Sequence, residues 1–137
     1  MAADLSDKIR LEVAARAGHR CEYCLIREPD TGFPLEVDHI ISRKHGGRSD
    51  PDNLAYACVR CNAWKGADVG SIATASGGYV SLFHPRRQRW EDHFVLRGAV
   101  IEPVTAEAEA TVRLLKLNIE KRVVERQLLV ALGRYPR

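Results

Sequence analysis

Apolar positions recur at helical spacing near both ends of the chain and in short β-like runs between them. Over residues 5–17, Ile9, Val13 and Arg16 share one helical face. Ser6 or Asp7 suits the start of that helix and Gly18 its end. Leu35 to Ile41 is rich in Val and Ile, and Leu54 to Ala57 forms a second short apolar run, so both predict strands. The intervening segments 25–34 and 42–52 carry the Gly, Pro and Asp of loops. A short helix is expected from about Cys58 to Ala67. Residues 68–83, with Gly70, Gly77 and Gly78 among small residues, read as a connecting loop. Trp90 and Phe94 stand four apart, the spacing of a core stripe, and Phe94 to Ile101 predicts a hairpin around Arg97-Gly98. Thr105 caps a helix through Leu117, with Glu107 and Glu109 in its first turn. Asn118 is placed to cap a last helix ending near Leu132 at Gly133. Val112, Leu115, Ile119, Val123, Leu128 and Leu132 supply the apolar faces of these two helices, which would brace the rest or form a dimer surface.

The order of elements is that of a small α+β protein, and 137 residues is the length of one domain. No apolar run approaches the roughly 20 residues of a membrane helix. The start, MAADLSDKIR, lacks the pattern of a secretory signal. A cytoplasmic location is therefore expected. The net charge of +3 is weakly basic, and its excess lies beyond residue 84, where 11 Lys and Arg face 7 Asp and Glu. That balance is compatible with nucleic acid and equally with a solvated face.

The chemistry is concentrated in the cysteines and in one stretch between them. Cys21, Cys24, Cys58 and Cys61 form two C-x-x-C pairs. In a chain with no secretory signal, this pattern predicts a structural four-thiolate zinc site, with two disulfides or a redox pair as the alternatives. Four thiolates complete a tetrahedral site, so His19 is not needed as a ligand. Between the pairs stand Asp38, a hard oxygen ligand, and His39, a base that titrates near neutrality. In a regular strand these two would face opposite sides, so both can serve one site only where the strand bends, bulges or ends. Asn53 follows in a turn, where its side chain can bond the backbone. Asn62 offers a carbonyl oxygen, and Lys65 lies three residues further along the same helix face. Trp64 is expected to be buried packing. Arg43, Lys44 and Arg48 make the loop after His39 basic, which suits phosphate contact or an ordinary exposed turn.

The order Asp38-His39, Asn53, then Cys58-x-x-Cys61-Asn62-x-x-Lys65-Gly66 resembles the HNH endonucleases, nucleases of the ββα-metal fold. The resemblance covers about a quarter of the chain plus the first cysteine pair. It implies a ββα core over about residues 18–67, flanked by the helix at about 5–17 and a bracing segment at about 84–133. It also implies hydrolysis of phosphodiester bonds in nucleic acid, most naturally double-stranded DNA. His39 would be the general base, Asp38 and Asn62 would hold one Mg²⁺ or Mn²⁺ ion, and Asn53 would support the loop that positions the base. Many members of the family have histidine where Asn62 stands. Lys65, Arg43, Lys44, Arg86, Arg87 and Arg89 are the expected nucleic-acid contacts, and His93 a structural histidine. Two other classes stay open: a zinc-stabilised nucleic-acid-binding module that does not cleave, and a protein-interaction domain using the C-terminal helices.

Overall fold

A computed structural model describes residues 5–136; the first residues read for a secretory signal, Met1 to Asp4, lie outside that range. Eleven regular elements run in the order α1 (Asp7–Arg16), β1 (Glu36–His39), β2 (Leu54–Ala57), α2 (Val59–Lys65), β3 (Gly70–Ile72), β4 (Tyr79–Ser81), α3 (Trp90–His93), β5 (Phe94–Arg97), β6 (Val100–Pro103), α4 (Ala106–Leu114) and α5 (Glu120–Ala131). Among the described residues the strands form three antiparallel pairs, β1 with β2, β3 with β4 and β5 with β6. The fold is thus α+β, built from small hairpins and helices around a shared core. No helix among the described residues is long and apolar enough to cross a membrane.

The local signals that end helices are used as the sequence suggests. Ser6 caps α1 by accepting from the Ile9 amide, and Thr105 caps α4 by accepting from Ala108. Cys58 does the same for α2: its sulfur accepts from the Cys61 amide at 3.4 Å, so one residue is both knuckle and cap. The ββα unit β1–β2–α2 has the register Glu36↔Ala57 to His39↔Leu54, and β1 stops at His39.

The first knuckle docks directly on this unit. The Glu22 amide donates to the Tyr56 carbonyl, and the Tyr56 amide donates back to the Glu22 carboxylate at 2.8 Å. From α1, Arg16 reaches across and donates to the carbonyls of Pro51 and Leu54. Of the face predicted from helical spacing, Val13 is buried whereas Arg16 stays exposed, its guanidinium satisfied by these backbone carbonyls.

Three expectations fail, each for a reason that lies in tertiary packing. The segment 68–83 is not a plain loop. It holds the β3–β4 hairpin, in which the Tyr79 ring lies over Gly70: a Cβ there would stand 2.3 Å from the Tyr79 hydroxyl oxygen and push the exposed ring aside. Asn118 does not cap the last helix. Its amide instead imitates a strand, accepting from the Ile101 amide at 3.0 Å and donating to the Ile101 carbonyl at 2.7 Å. The start of α5 has no side-chain cap.

The third failure concerns the inward face of α5, which is not apolar. Arg122 and Arg126 are its buried residues, while Leu128 is 63% exposed and Leu132 61%. Arg126 donates to the carbonyls of Ala99 and Leu117, both at 2.7 Å, and Arg122 to that of Leu115 at 2.8 Å. Two guanidinium groups thereby occupy carbonyls that the end of α4 and the adjoining turns leave without partners, which is costly to leave undone in a buried place.

Candidate functional site: a cysteine cluster beneath a histidine at a strand end

All four cysteines are buried, and their sulfurs lie within 4.8 Å of one another. None is in a disulfide. Zinc–thiolate bonds of about 2.3 Å set at tetrahedral angles require sulfurs about 3.8 Å apart; the Cys24 and Cys58 sulfurs are 3.7 Å apart. The cluster therefore fits a structural Zn²⁺ and leaves the disulfide alternative without support. His19 is engaged elsewhere, with Nδ1 3.2 Å from the Glu28 carboxylate. Without the ion, hydrogen bonds from the other cysteines, Cys21 foremost, hold the Cys24 thiol well below its ordinary value. Burial instead drives Cys21 and Cys61 up. Binding of Zn²⁺ would thus have protons to displace.

A residue that the sequence reading passed over completes the cluster. One guanidinium nitrogen of Arg122 lies 3.2 Å from the Cys61 sulfur and 3.8 Å from that of Cys58. Burial works against its charge, but the thiolates beside it, that of Cys61 first, hold its pKa above the ordinary value. A four-thiolate zinc carries two negative charges, and Arg122 compensates one of them. The only sequence signal was an arginine on the face of α5 that packing required to be inward. Tyr135 closes the other knuckle, its hydroxyl donating to the Cys24 carbonyl at 2.8 Å.

Above the cluster, α2 lies along β1. Asp38 faces this helix and is only 4% exposed. Its carboxylate accepts from the Tyr23 hydroxyl at 2.7 Å and from Lys65 at 3.2 Å. Burial raises its pKa, against the opposing pull of Lys65 and Tyr23. Lys65 is 1% exposed. Its ammonium also donates to the carbonyls of His39 and Ile40, at 3.1 and 3.0 Å. Lys65 is therefore not a surface contact for phosphate: it is a buried cation with three partners, holding the end of β1 to α2. Asn62, a turn away, donates to the Glu36 carboxylate at 2.6 Å on the exposed side. Asp38 and Asn62 have the hard oxygen donors that suit Mg²⁺ or Mn²⁺, yet the structure does not gather them. One is sealed by Tyr23 and Lys65 and the other is turned to Glu36, so this donor set does not fit a shared ion as arranged.

His39 lies at the opposite, half-buried side of the strand end, with Nε2 3.0 Å from the Ser49 hydroxyl. Burial lowers its pKa, the Lys65 charge lowers it further and Asp38 opposes both. Burial thereby favours the neutral form of the ring. The loop that carries Ser49 is closed by Asn53. The Asn53 side chain accepts from the Ile41 amide at 2.9 Å and donates to the carbonyls of Ile41 and Arg48, at 3.0 and 2.7 Å. The loop is tight enough that a Cβ on Gly47 would stand 1.6 Å from the Ile41 carbonyl oxygen.

The basic residues divide. Arg43 and Lys44 on the loop, with Arg87 and Arg89 further on, are exposed. Arg86 is not, because it is paired with Glu22 of the first knuckle and serves the fold. Trp64 is exposed rather than packed, at 46%, with the Lys116 ammonium 4.5 Å from its ring centre. Trp90 takes the packing role expected of it: it stacks on Phe94 and donates to the Tyr23 carbonyl at 2.9 Å. His93 is satisfied by Thr105 at 2.7 Å.

Residues 21–68 match the family model described as HNH endonuclease. The match runs from the first cysteine to just beyond α2 and so spans the cysteine cluster, His39 and the Asn53 loop, and this stretch is similar to the HNH endonucleases. No curated protein matches the chain.

Two measurements check the site. Purified protein should contain about one Zn²⁺ per chain, and Cys21→Ser and Cys58→Ser should lose metal and the cooperative melting transition together. An unchanged melting curve in zinc-free protein would reject the cluster as a zinc site. Lys65→Ala should cost about 3–5 kcal/mol of stability, as expected when one partner of a buried ion pair is removed. Denaturant melts that matched wild type would return Lys65 to the surface.

Proposed function

We propose that this protein is an endonuclease that hydrolyses phosphodiester bonds in double-stranded DNA, with His39 as general base. The observation that carries the reading is the placement of His39: half-buried, set at the open end of β1, with Nε2 3.0 Å from Ser49 on a loop that Asn53 closes. A neutral imidazole can take the proton of an attacking water as the water oxygen bonds to phosphorus and the bond to the leaving oxygen breaks. Asn53 supports this by shaping the loop. Arg43, Lys44, Arg87 and Arg89 would meet the backbone of the substrate, where phosphate contacts set position rather than sequence.

The resemblance implies that Asp38 and Asn62 hold a divalent ion, Mg²⁺ or Mn²⁺, which would supply charge neutralisation at the phosphate; as arranged the two do not form one site, and no step of the hydrolysis is assigned to such an ion. A shared ion would require Asn62 to leave Glu36 and Asp38 to be freed from Tyr23 and Lys65. The four buried free thiols suit a reducing compartment, and the cytoplasm is the location we propose.

His39→Ala should slow plasmid nicking by about a hundredfold to ten-thousandfold while leaving zinc content and circular dichroism unchanged. Nicking at the wild-type rate by folded His39→Ala protein would sink the assignment; binding without any cleavage by wild type would favour the non-cleaving module. The pH profile is a second check. A protonated imidazole cannot accept a proton, so the rate should fall as pH falls through the His39 pKa. Because burial lowers that value from 6.5, the acid limb should lie below pH 6.5. A midpoint above it would contradict the assigned base.

The outward stripe Val124, Leu128 and Leu132, spaced by four on α5, supports a homodimer through that helix. Light scattering should then give twice the 15.3 kDa chain mass, and Leu128→Glu should return it to 15.3 kDa. A wild-type monomer at tens of micromolar would reject the dimer.

A further inference from the structure

A cavity of about 380 Å³ opens beside the end of β1. Two of its lining residues, Ile40 and Ile41, directly follow His39 in the chain, and Tyr79, His84 and Arg87 line it from β4 and the turn beyond. The protonation of His84 can be read from its bonds. Its Nδ1 faces the backbone amides of Arg86 at 3.2 Å and Arg87 at 3.3 Å, and both of those groups are donors. A ring nitrogen that accepts cannot carry the proton, so the proton of the neutral ring sits on Nε2. Burial, then the Arg87 charge, lowers the His84 pKa and keeps the ring in that form, with Asp52 a weaker opposing influence.

Nε2–H of His84 meets no partner among the described residues, and neither does the Arg87 guanidinium. The Tyr79 hydroxyl, whose ring lies over Gly70, is the third donor without a partner among the described residues. Lys65 also lines the cavity, but its ammonium is fully committed to Asp38 and two carbonyls. A concave site thus presents a guanidinium, an imidazole N–H and a phenol O–H, and no carboxylate lines it. That is the complement of an oxyanion with several oxygens. The volume exceeds what a lone phosphate fills and leaves room for the attached sugar.

We propose that this cavity seats one backbone phosphate of the bound nucleic acid, adjacent to the bond that is cut, held by Arg87 and by Nε2–H of His84. The inference rests on the nuclease reading and adds to it the place where the strand is gripped. It also assigns the two residues different physical work. Arg87 displaces a counterion when it binds phosphate, whereas His84 donates a neutral hydrogen bond.

The test is binding of a fixed 20-base-pair duplex by the full chain, carried out in His39→Ala protein so that the probe is not cut. Arg87→Gln should weaken binding about tenfold and reduce the salt slope by about 0.9, the value for one phosphate contact. His84→Asn should weaken it several-fold with the slope unchanged. Asparagine is the informative replacement because its side-chain oxygen can still accept from the two turn amides while the distal N–H is lost. The double variant should lose less than the product of the single effects, because both residues hold one phosphate. Arg97→Gln, on the β5–β6 hairpin, serves as the control for general charge loss. Wild-type affinity in both single variants, or losses that simply multiply, would overturn the proposal.

The two readings can fail separately. Variants that bind normally, in a protein whose cleavage depends on His39, remove the phosphate seat and leave the nuclease standing. Variants that lose binding, in a protein that nicks equally well without His39, do the reverse. A parent protein that binds no duplex overturns both.

Discussion

Four sulfurs drawn from two places 34 residues apart, brought within 4.8 Å, hold the rest of this protein in place. The β1–β2–α2 unit is too small to bury much apolar surface of its own, and small units of this kind depend on a metal or other cross-link. The cluster fixes α2 through Cys58 and Cys61. The other knuckle then fixes both strands, since Glu22 pairs with Tyr56 and Tyr23 bonds Asp38. The strand end that carries His39 is thereby referred back to the thiolates through two short chains of hydrogen bonds. Arg122 belongs to the same assembly, because a dianionic site surrounded by low-dielectric packing needs a counter-charge.

Much of this was legible in the sequence. Cysteine spacing identified the cluster, because zinc ligation imposes a ligand number and a geometry that few other functions share. Ser6 and Thr105 announced helix starts because capping is a local event, settled within three residues. Asn53 was legible for the same reason, although its bond to the Arg48 carbonyl depends on the shape of the whole loop. What failed were inferences about which way a side chain points when its partner is remote. Lys65 shares a helix face with Asn62, yet one is sealed against Asp38 and the other lies at the surface. Nothing local distinguishes them; the depth of β1 beneath the helix does. Trp64 was expected inside on grounds of hydrophobicity and lies outside, while Cys61 and Lys65 are the buried residues of α2.

α5 shows the same limit most strongly. Val123, Leu128 and Leu132 predict an apolar face that braces the rest or forms a dimer surface; the structure turns Arg122 and Arg126 inward and leaves Leu128 and Leu132 exposed. The governing fact is the supply of unpaired carbonyls at Ala99, Leu115 and Leu117, together with the cysteine sulfurs, a demand that only long cationic donors can meet. The polarity of the helix is thus set by the hydrogen-bonding needs of its neighbours and not by the hydrophobic effect alone. The buried Asp38–Lys65 pair follows similar logic, because the carbonyls of His39 and Ile40, where β1 stops, receive donors from the lysine that neutralises the aspartate.

The bond between Tyr135 and the Cys24 carbonyl spans 111 positions of the chain. During synthesis both cysteine pairs are available for metal once residue 61 has emerged, since chains fold from the N-terminal side as they are made. Their covers arrive later: Arg122 reaches the sulfurs only after a further 61 residues, and Tyr135 later still. For that interval the thiolates stand unguarded by the groups that enclose them in the finished protein. The groups that enclose the cysteines thus come from the last part of the chain to be made, so the ligands precede their own cover.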